Sequence, residues 1–430
     1  MKKSFKVVCI LIISGVLISC KFANFTKSSV ENMFATTSSG GVTTRVSVTS
    51  NGNQSTSWSS NPSISEDGRY IAFEYFINNI FLHDTHTGET TLVDVASDGS
   101  PGNGYSEDPS ISGDGRYVAF ESSATNLVIG DVNEEGDIFR YDTKTGEIVL
   151  VSVASSGGQG NSSSENPSIS GDGRYVVFES ESTNLVIGDT NEERDVFLHD
   201  TKTGETTLVS VANDGSQGND KSECLNSRPA ISSDGRTVAF CSSASNLVNE
   251  DTNQRTDIFL HDTHTGETIR ASVNSDGSEW NKGSGRPSIS EDGRYVAFTD
   301  GPGGIILHDT QTGENTLVSV DNNGEQGNSY SSNPSISADG RYVAFESEST
   351  NLVIGDTNES VDVFLHDTKT GETIRVSVDS AGIHWVGDSM SPSISGDGRY
   401  VAFESEAANL VSEDTNQRTD VFLHNLSGSK

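Results

Sequence analysis

The chain has 430 residues, with Lys+Arg 27 against Asp+Glu 62, a formal charge of −35. A field of that sign repels nucleic acid and anionic lipid headgroups and excludes both as partners. Only 32% of the residues are hydrophobic, which in an unpatterned chain would signal disorder, so the patterning has to decide.

Lys2, Lys3 and Lys6 precede an apolar stretch over residues 7–18. A bilayer span needs about 20 such residues, so this one reads as a secretory leader. Its end, Leu17-Ile18-Ser19-Cys20, resembles the lipobox of bacterial lipoproteins. The resemblance implies a leader over residues 1–19, cleavage before Cys20 and lipidation of that cysteine. Losing the three leader lysines takes the formal charge from −35 to −38. Residues 20–42 are rich in Ser and Thr without a clear period and read as a flexible tether, with a reach of about 25 Å. The expected location is the bacterial cell envelope, on the periplasmic or surface side, touching the membrane only through the lipid anchor.

One phrase then recurs, Pro-Ser-Ile-Ser-x-Asp-Gly-Arg-Tyr-Val-Ala-Phe, beginning at Pro62, Pro109, Pro167, Pro229, Pro287, Pro334 and Pro392, with small variations. The spacings are 47, 58, 62, 58, 47 and 58 residues, the signature of a propeller or similar array. Each unit predicts four strands. Strand a is the Pro-Ser-Ile-Ser stretch, followed by an Asp-Gly turn. Strand b is Tyr-Val-Ala-Phe, as in Tyr117–Phe120. Strand c is Asp-Val-Phe-Leu-His, as in Asp195–His199, and strand d is the stretch Thr206–Val211. Period-2 alternation and β-branched residues support these assignments.

The last unit ends at strand c, Asp420–His424, without a strand d. An unpaired d-type strand, Thr43–Val48, precedes the first unit. The N-terminal strand is therefore expected to complete the last blade and remove the exposed edges. The expected fold is all-β: a single seven-bladed propeller over residues 43–430, four antiparallel strands per blade. Residues 179–192 and 346–359 are identical and lie three blades apart, which points to duplication of a multi-blade segment.

The repeat resembles that of TolB-type, WD-like β-propellers, over roughly residues 43–425. TolB itself has six blades and an α/β N-terminal domain, neither of which is read here, so a Tol–Pal role is not implied.

Alternating strand direction puts the a–b and c–d turns on one face and the variable b–c and d–a loops on the other, which is the expected binding face. Five b–c loops carry Asp-x-Asn-x-x-x-Asp: Asp131/Asn133/Asp137, Asp189/Asn191/Asp195, Asp251/Asn253/Asp257, Asp356/Asn358/Asp362 and Asp414/Asn416/Asp420. This spacing fits either calcium ligation, with calcium as the candidate cation and no required cofactor, or Asx turns that satisfy loop backbone. Trp58, Tyr105, Trp280, Tyr330 and Trp385 fall in d–a loops, where they either contact a ligand or pack on a neighbouring blade.

The residue before the strand-a proline is Arg only at Arg228 and Arg286; both are expected near the channel mouth, able to receive a carboxylate or phosphate. Cys224 and Cys241 flank one a–b hairpin and are a candidate disulfide. If Ser232 pairs with Thr237, Arg228 faces Cys241 and Cys224 lies just beyond. Six histidines (His83, His199, His261, His308, His366 and His424) repeat at one strand-c position and read as structural. His384, beside Trp385, is irregular and joins the candidate ligand residues.

No nucleophile–base pair or phosphate loop is found. The Asp-Gly turn is like the sialidase Asp-box, without an identifiable arginine triad. The functional expectation is a monomeric, non-catalytic binding or scaffold protein with an envelope protein or glycan as partner. The alternative is a carbohydrate-active protein, either a glycan-binding module or a polysaccharide lyase.

Overall fold

The computed structural model describes residues 41–75, 79–224, 227–301 and 303–427. The leader, Cys20 and nearly all of the tether lie outside these residues. Seven four-stranded antiparallel sheets follow one another in chain order, each a blade. The first strand, Val42–Arg45, pairs with the last, Asp420–Asn425, so the N-terminus completes blade 7 as expected.

Strands b and c are six residues long in every blade, as in Tyr117–Ser122 and Asp137–Asp142 of blade 2. Strand d is shorter than the alternation predicts. In blade 3 it spans Glu205–Leu208 rather than reaching Val211, because Val211 leaves the sheet and bridges Gln217. Strand a carries a bulge before its proline in six blades, as between Ser60 and Ser63. In blade 4 it shrinks to Ala230–Ile231.

The a–b turn explains its own sequence. The Asp67 carboxylate accepts the Ser65 hydroxyl at 2.7 Å and the Arg69 N–H at 2.9 Å. Gly68 sits at φ 74°, and a Cβ there would also meet the Tyr400 ring of blade 7 at 2.3 Å, so glycine is required twice over. Arg69 then forks onto Asp84 at the end of strand c, at 3.0 and 2.7 Å, and lies over Tyr70.

The core is not central. It is divided into seven clusters, each lying between two neighbouring blades; Val46, Ile64, Ile71 and Phe73 meet Ala402, Val421 and Leu423 where the ring closes. Phe pairs such as Phe178–Phe197, 5.9 Å between centroids, stack within blades. The low apolar share reflects these thin interfaces.

Candidate functional site

The axis of the ring is a cup. Its narrow end is formed by the variable residue of each Ser-x-Asp-Gly turn. Glu66, Gly113, Gly171, Ser233, Glu291, Ala338 and Gly396 are linked around the ring by backbone N–H to C=O bonds such as Glu66 to Gly113 at 3.0 Å. The Ser233 hydroxyl, three blades from Glu66, donates to the Glu66 carboxylate at 3.3 Å. The Glu66 side chain therefore crosses the axis and obstructs that end. The other end opens on the b–c/d–a face as a cavity of about 790 Å³.

The cup wall is built in layers by strand a: pre-proline residues at the mouth, then prolines, then serine hydroxyls such as Ser63, Ser110 and Ser335. These hydroxyls accept backbone N–H groups of the next blade, as Ser63 does from Ile111 at 3.1 Å. Six of the seven pre-proline residues are left-handed, including Asn61 (φ 47°), Asn166 (φ 57°) and Arg286 (φ 57°).

Behind the mouth stands a layer that sequence reasoning missed. Strand b places Glu74, Glu121, Glu179, Glu346 and Glu404 at one register position in five blades. Glu74 accepts the Asn61 side-chain amide at 2.8 Å and the Asp108 backbone N–H of blade 2, also at 2.8 Å. Glu404 likewise accepts the Asn61 N–H of blade 1, and Glu346 the Ser391 N–H of blade 7, both at 3.0 Å. Each carboxyl thus clasps its own bulge, the next blade's bulge, or both. Burial pushes Glu121 up to about 8 and Glu179 up to about 7, and raises Glu74 and Glu404 in the same direction.

The same register position holds Cys241 in blade 4 and Thr299 in blade 5. These are the two blades whose pre-proline residue is arginine, and both arginines line the cup as the sequence implied. Arg228 crosses to blade 2 and donates to the Pro109 carbonyl at 2.8 Å, with Asp108 at 3.9 Å. Arg286 donates to the Asn333 side-chain oxygen and lies 3.8 Å from Glu346.

Cys224 and Cys241 are disulfide-bonded, with Cα atoms 5.1 Å apart. The expected Ser232–Thr237 register is present. The residue standing against Cys241 is nevertheless Cys224 and not Arg228. Blade 4 carries four extra residues before its proline, and these displace Arg228 toward the axis.

The repeated Asp/Asn loops do not reach the cup. They form polar slots beneath the b–c loops. Gln159 donates its amide to both Asp131 (2.7 Å) and Asp137 (2.9 Å), and Gln217 bridges Asp189 and Asp195 at 2.7 and 2.8 Å. Gln54 does the same for Asp414 and Asp420, at 2.7 and 3.0 Å. In blade 4 the slot between Asp251 and Asp257 is filled by Arg270, and in blade 6 Arg375 lies between Asp356 and Asp362.

The Asn residues turn their oxygens to loop backbone, as Asn191 does to the Glu193 N–H at 3.0 Å; Asn133, Asn253, Asn358 and Asn416 accept in the same way. Burial raises Asp137, Asp251 and Asp362 to about 6. Among the described residues no group of three or more His, Cys, Asp and Glu side chains is placed to hold a metal.

His384 is less irregular than its sequence context implies. It follows Val378 by the same six residues that separate Val153 from Gln159, and so stands at the slot position of blade 6. Burial and the nearby Arg375 lower its pKa. The strand-c histidines are structural: His199 Nδ1 meets the Thr206 hydroxyl at 2.8 Å, and that hydroxyl donates to the Val153 carbonyl of blade 2. The hydroxyl's one proton is committed, so Nδ1 carries the proton between them.

The aromatics divide. Trp58, Tyr105 and Tyr330 are exposed on the rim. Trp280 packs edge-on against Phe298 at 6.1 Å, and Trp385 joins the cluster between blades 6 and 7. For these two the packing alternative is the one the geometry fits. The rim also bears Ile129, Ile187 and Ile354, whose side chains project from equivalent b–c loops and stay fully or almost fully exposed.

No protein-family model matches the chain, and no curated protein matches it. Among solved structures, an oligogalacturonate lyase in complex with manganese superposes with a TM-score of 0.52 at 15% identity, over 89% of this chain and 92% of that one. The oligogalacturonate lyase of Vibrio parahaemolyticus gives 0.52 and 15%, over 89% and 93%. A putative TolB from Agrobacterium tumefaciens gives 0.45 at 16%, over 81% and 97%. At such identities the likeness is one of fold. The chain is a seven-bladed β-propeller with distant structural similarity to oligogalacturonate lyases.

Proposed function

We propose that the protein is a non-catalytic binding or scaffold protein of the bacterial envelope, anchored by lipids on Cys20, that engages its partner through the b–c/d–a face. The observation behind this reading is the polarity of the ring. One end of the channel is crossed by the Glu66 side chain, and the other opens into a cup framed by variable loops. Exposed aromatic and Ile side chains on that rim are the groups that give protein interfaces their anchors.

Strand direction adds an orientation. Val42 pairs with Asn425 at the end of strand c, so the chain enters the ring on the a–b/c–d face. The carbohydrate-active alternative has less support, because no histidine and no aromatic platform lines the cup among the described residues. The Asp/Asn loops act in this reading as polar locks. Millimolar Ca²⁺ is expected to leave the melting temperature unchanged, and a saturable rise would restore the cation reading.

The test is a crosslinked capture from native envelopes with the tagged lipoprotein. The combined variant Trp58→Ala, Tyr105→Ala and Tyr330→Ala is expected to lose a reproducible partner that Lys202→Ala, on the opposite face, retains. Equal capture by both would overturn the choice of face. Cys20→Ala is expected to release the protein into the soluble fraction.

A further inference from the structure

We propose that the cup mouth at blade 5 is a carboxylate-binding subsite with Arg286 as its donor, while Arg228 of blade 4 reaches across the cup to the Pro109 carbonyl of blade 2. This deepens the preceding reading and rests on it for the face and the occupant. Five blades place a glutamate of strand b behind the mouth, where it clasps backbone or side-chain donors of its own blade or the next, Glu121 through the Asn166 backbone N–H. Blades 4 and 5 keep the strand-b register but replace that glutamate with Cys241 and Thr299. In the same two blades the pre-proline residue is Arg where the others have Asn, Asp or Ser.

The two exchanges are complementary. An internal carboxylate is removed and a cationic fork is brought to the same mouth. In blade 4 the disulfide takes over the tie that the glutamate makes elsewhere. In blade 5 nothing replaces it. The Thr299 hydroxyl, on a residue 5% exposed, has no hydrogen-bond partner among the described residues. A carboxylate brought by the ligand would supply the group that the other five blades carry themselves.

The chemistry selects a carboxylate over a phosphate. Asp108, Glu165, Glu179 and Glu223 line the same cavity, and Arg194 is already tied to Glu165 at 2.6 Å, Glu181 at 2.9 Å and Glu223 at 3.6 Å. A compact dianion meets that acidic surround at a disadvantage, while a planar monoanionic group matches the guanidinium fork. The wall of serine hydroxyls and prolines suits a small, polar, hydrogen-bonding ligand or chain end that fits about 790 Å³.

The test is calorimetric titration of the purified full chain with gluconate, a polar monocarboxylate, and separately with inorganic phosphate, at constant ionic strength. Saturable gluconate binding at one site is expected. Arg286→Gln and Thr299→Glu are each expected to weaken it at least tenfold, and Arg286→Lys less. Thr299→Glu is the decisive variant, since it restores the residue found in five other blades and should fold without loss of melting temperature. Gluconate affinity unchanged in Thr299→Glu, tighter binding of phosphate than of gluconate, or no saturable gluconate binding by the wild type would each overturn the subsite. Partner capture is measured separately, so loss of the subsite and loss of the binding face give different results.

Discussion

Blades 3 and 4 stand side by side and share the register of strands b and c, yet differ where they meet the axis. Blade 3 has a six-residue strand a, Ser164–Ile169, with Asn166 at its bulge and Glu179 behind it. Blade 4 has strand a reduced to two residues, Arg228 at the mouth and a disulfide where the glutamate would be. Strands b and c of each blade feed two apolar interfaces, one on each side, and any change there is felt by three blades. The start of strand a, by contrast, faces the cup. The comparison teaches that this fold can rebuild its ligand-facing layer without disturbing the layer that holds the ring together.

The comparison breaks first if the outer layers are not equivalent. Phe178→Ala in blade 3 and Phe240→Ala in blade 4 should each cost about 3–5 kcal/mol in urea unfolding, because both rings are fully buried and stacked on a strand-c phenylalanine. A large difference between the two would show that the inner layer of blade 4 alters its outer packing.

The next effect separates the two kinds of clasp. Replacing Cys224 and Cys241 together with Ser is expected to lower stability by about 2–4 kcal/mol, through the closed loop between them. Hydrogen exchange should rise in blade 4 around residues 222–230 and stay level in blade 3. Uniform loosening of the ring would contradict the idea that the bond serves the cup mouth locally.

Blade 3 should instead respond to pH. Burial holds the Glu179 pKa at about 7, above the unfolded value of about 4.3. Between those values the native state keeps a proton that the unfolded chain has released. This group's contribution therefore falls as pH rises through that window and is constant above it. Glu179→Gln should remove that dependence, so its melting temperature relative to wild type increases from pH 5 to pH 8. A constant offset would mean that the carboxyl titrates normally.

The smallest expected effect is on the rim. Ile187 is 107% exposed, so Ile187→Ser should change stability by less than about 0.5 kcal/mol while weakening partner capture. A clear loss of stability would place Ile187 in packing that the structure does not contain.

Much of this architecture was legible in residue order. Seven prolines count the blades, and a missing strand d at Asp420–His424 with a spare strand at residue 43 implies the closure seen between Val42–Arg45 and Asp420–Asn425. The repetition of His199 and its equivalents marked them as structural, because a residue used in every blade answers to the blade's own packing. The glutamates of strand b were repeated just as openly, in Phe-Glu-Ser, but a charge at a strand end reads as solvated. Nothing in linear order reveals that the bulge of the next blade delivers an N–H to Glu74 or Glu346.

The slot residues were hidden for a similar reason. Asp131 and Asp137 are visible as a pair, but the Gln159 amide that joins them comes from another loop of the blade, 28 and 22 residues away. His384 looked exceptional until its six-residue distance from Val378 aligned it with Gln159.

The sequence by itself determined the repeat, the strand order, the turn chemistry and the faces on which loops fall, since these follow from local periodicity and from glycine and proline geometry. Only the tertiary structure decided which charges meet. Closing the ring brings residues 47–62 positions apart into one layer around the axis, and there burial decides the chemistry. It makes clasps of the glutamates in five blades, and in the other two it leaves Arg228 and Arg286 facing the cup.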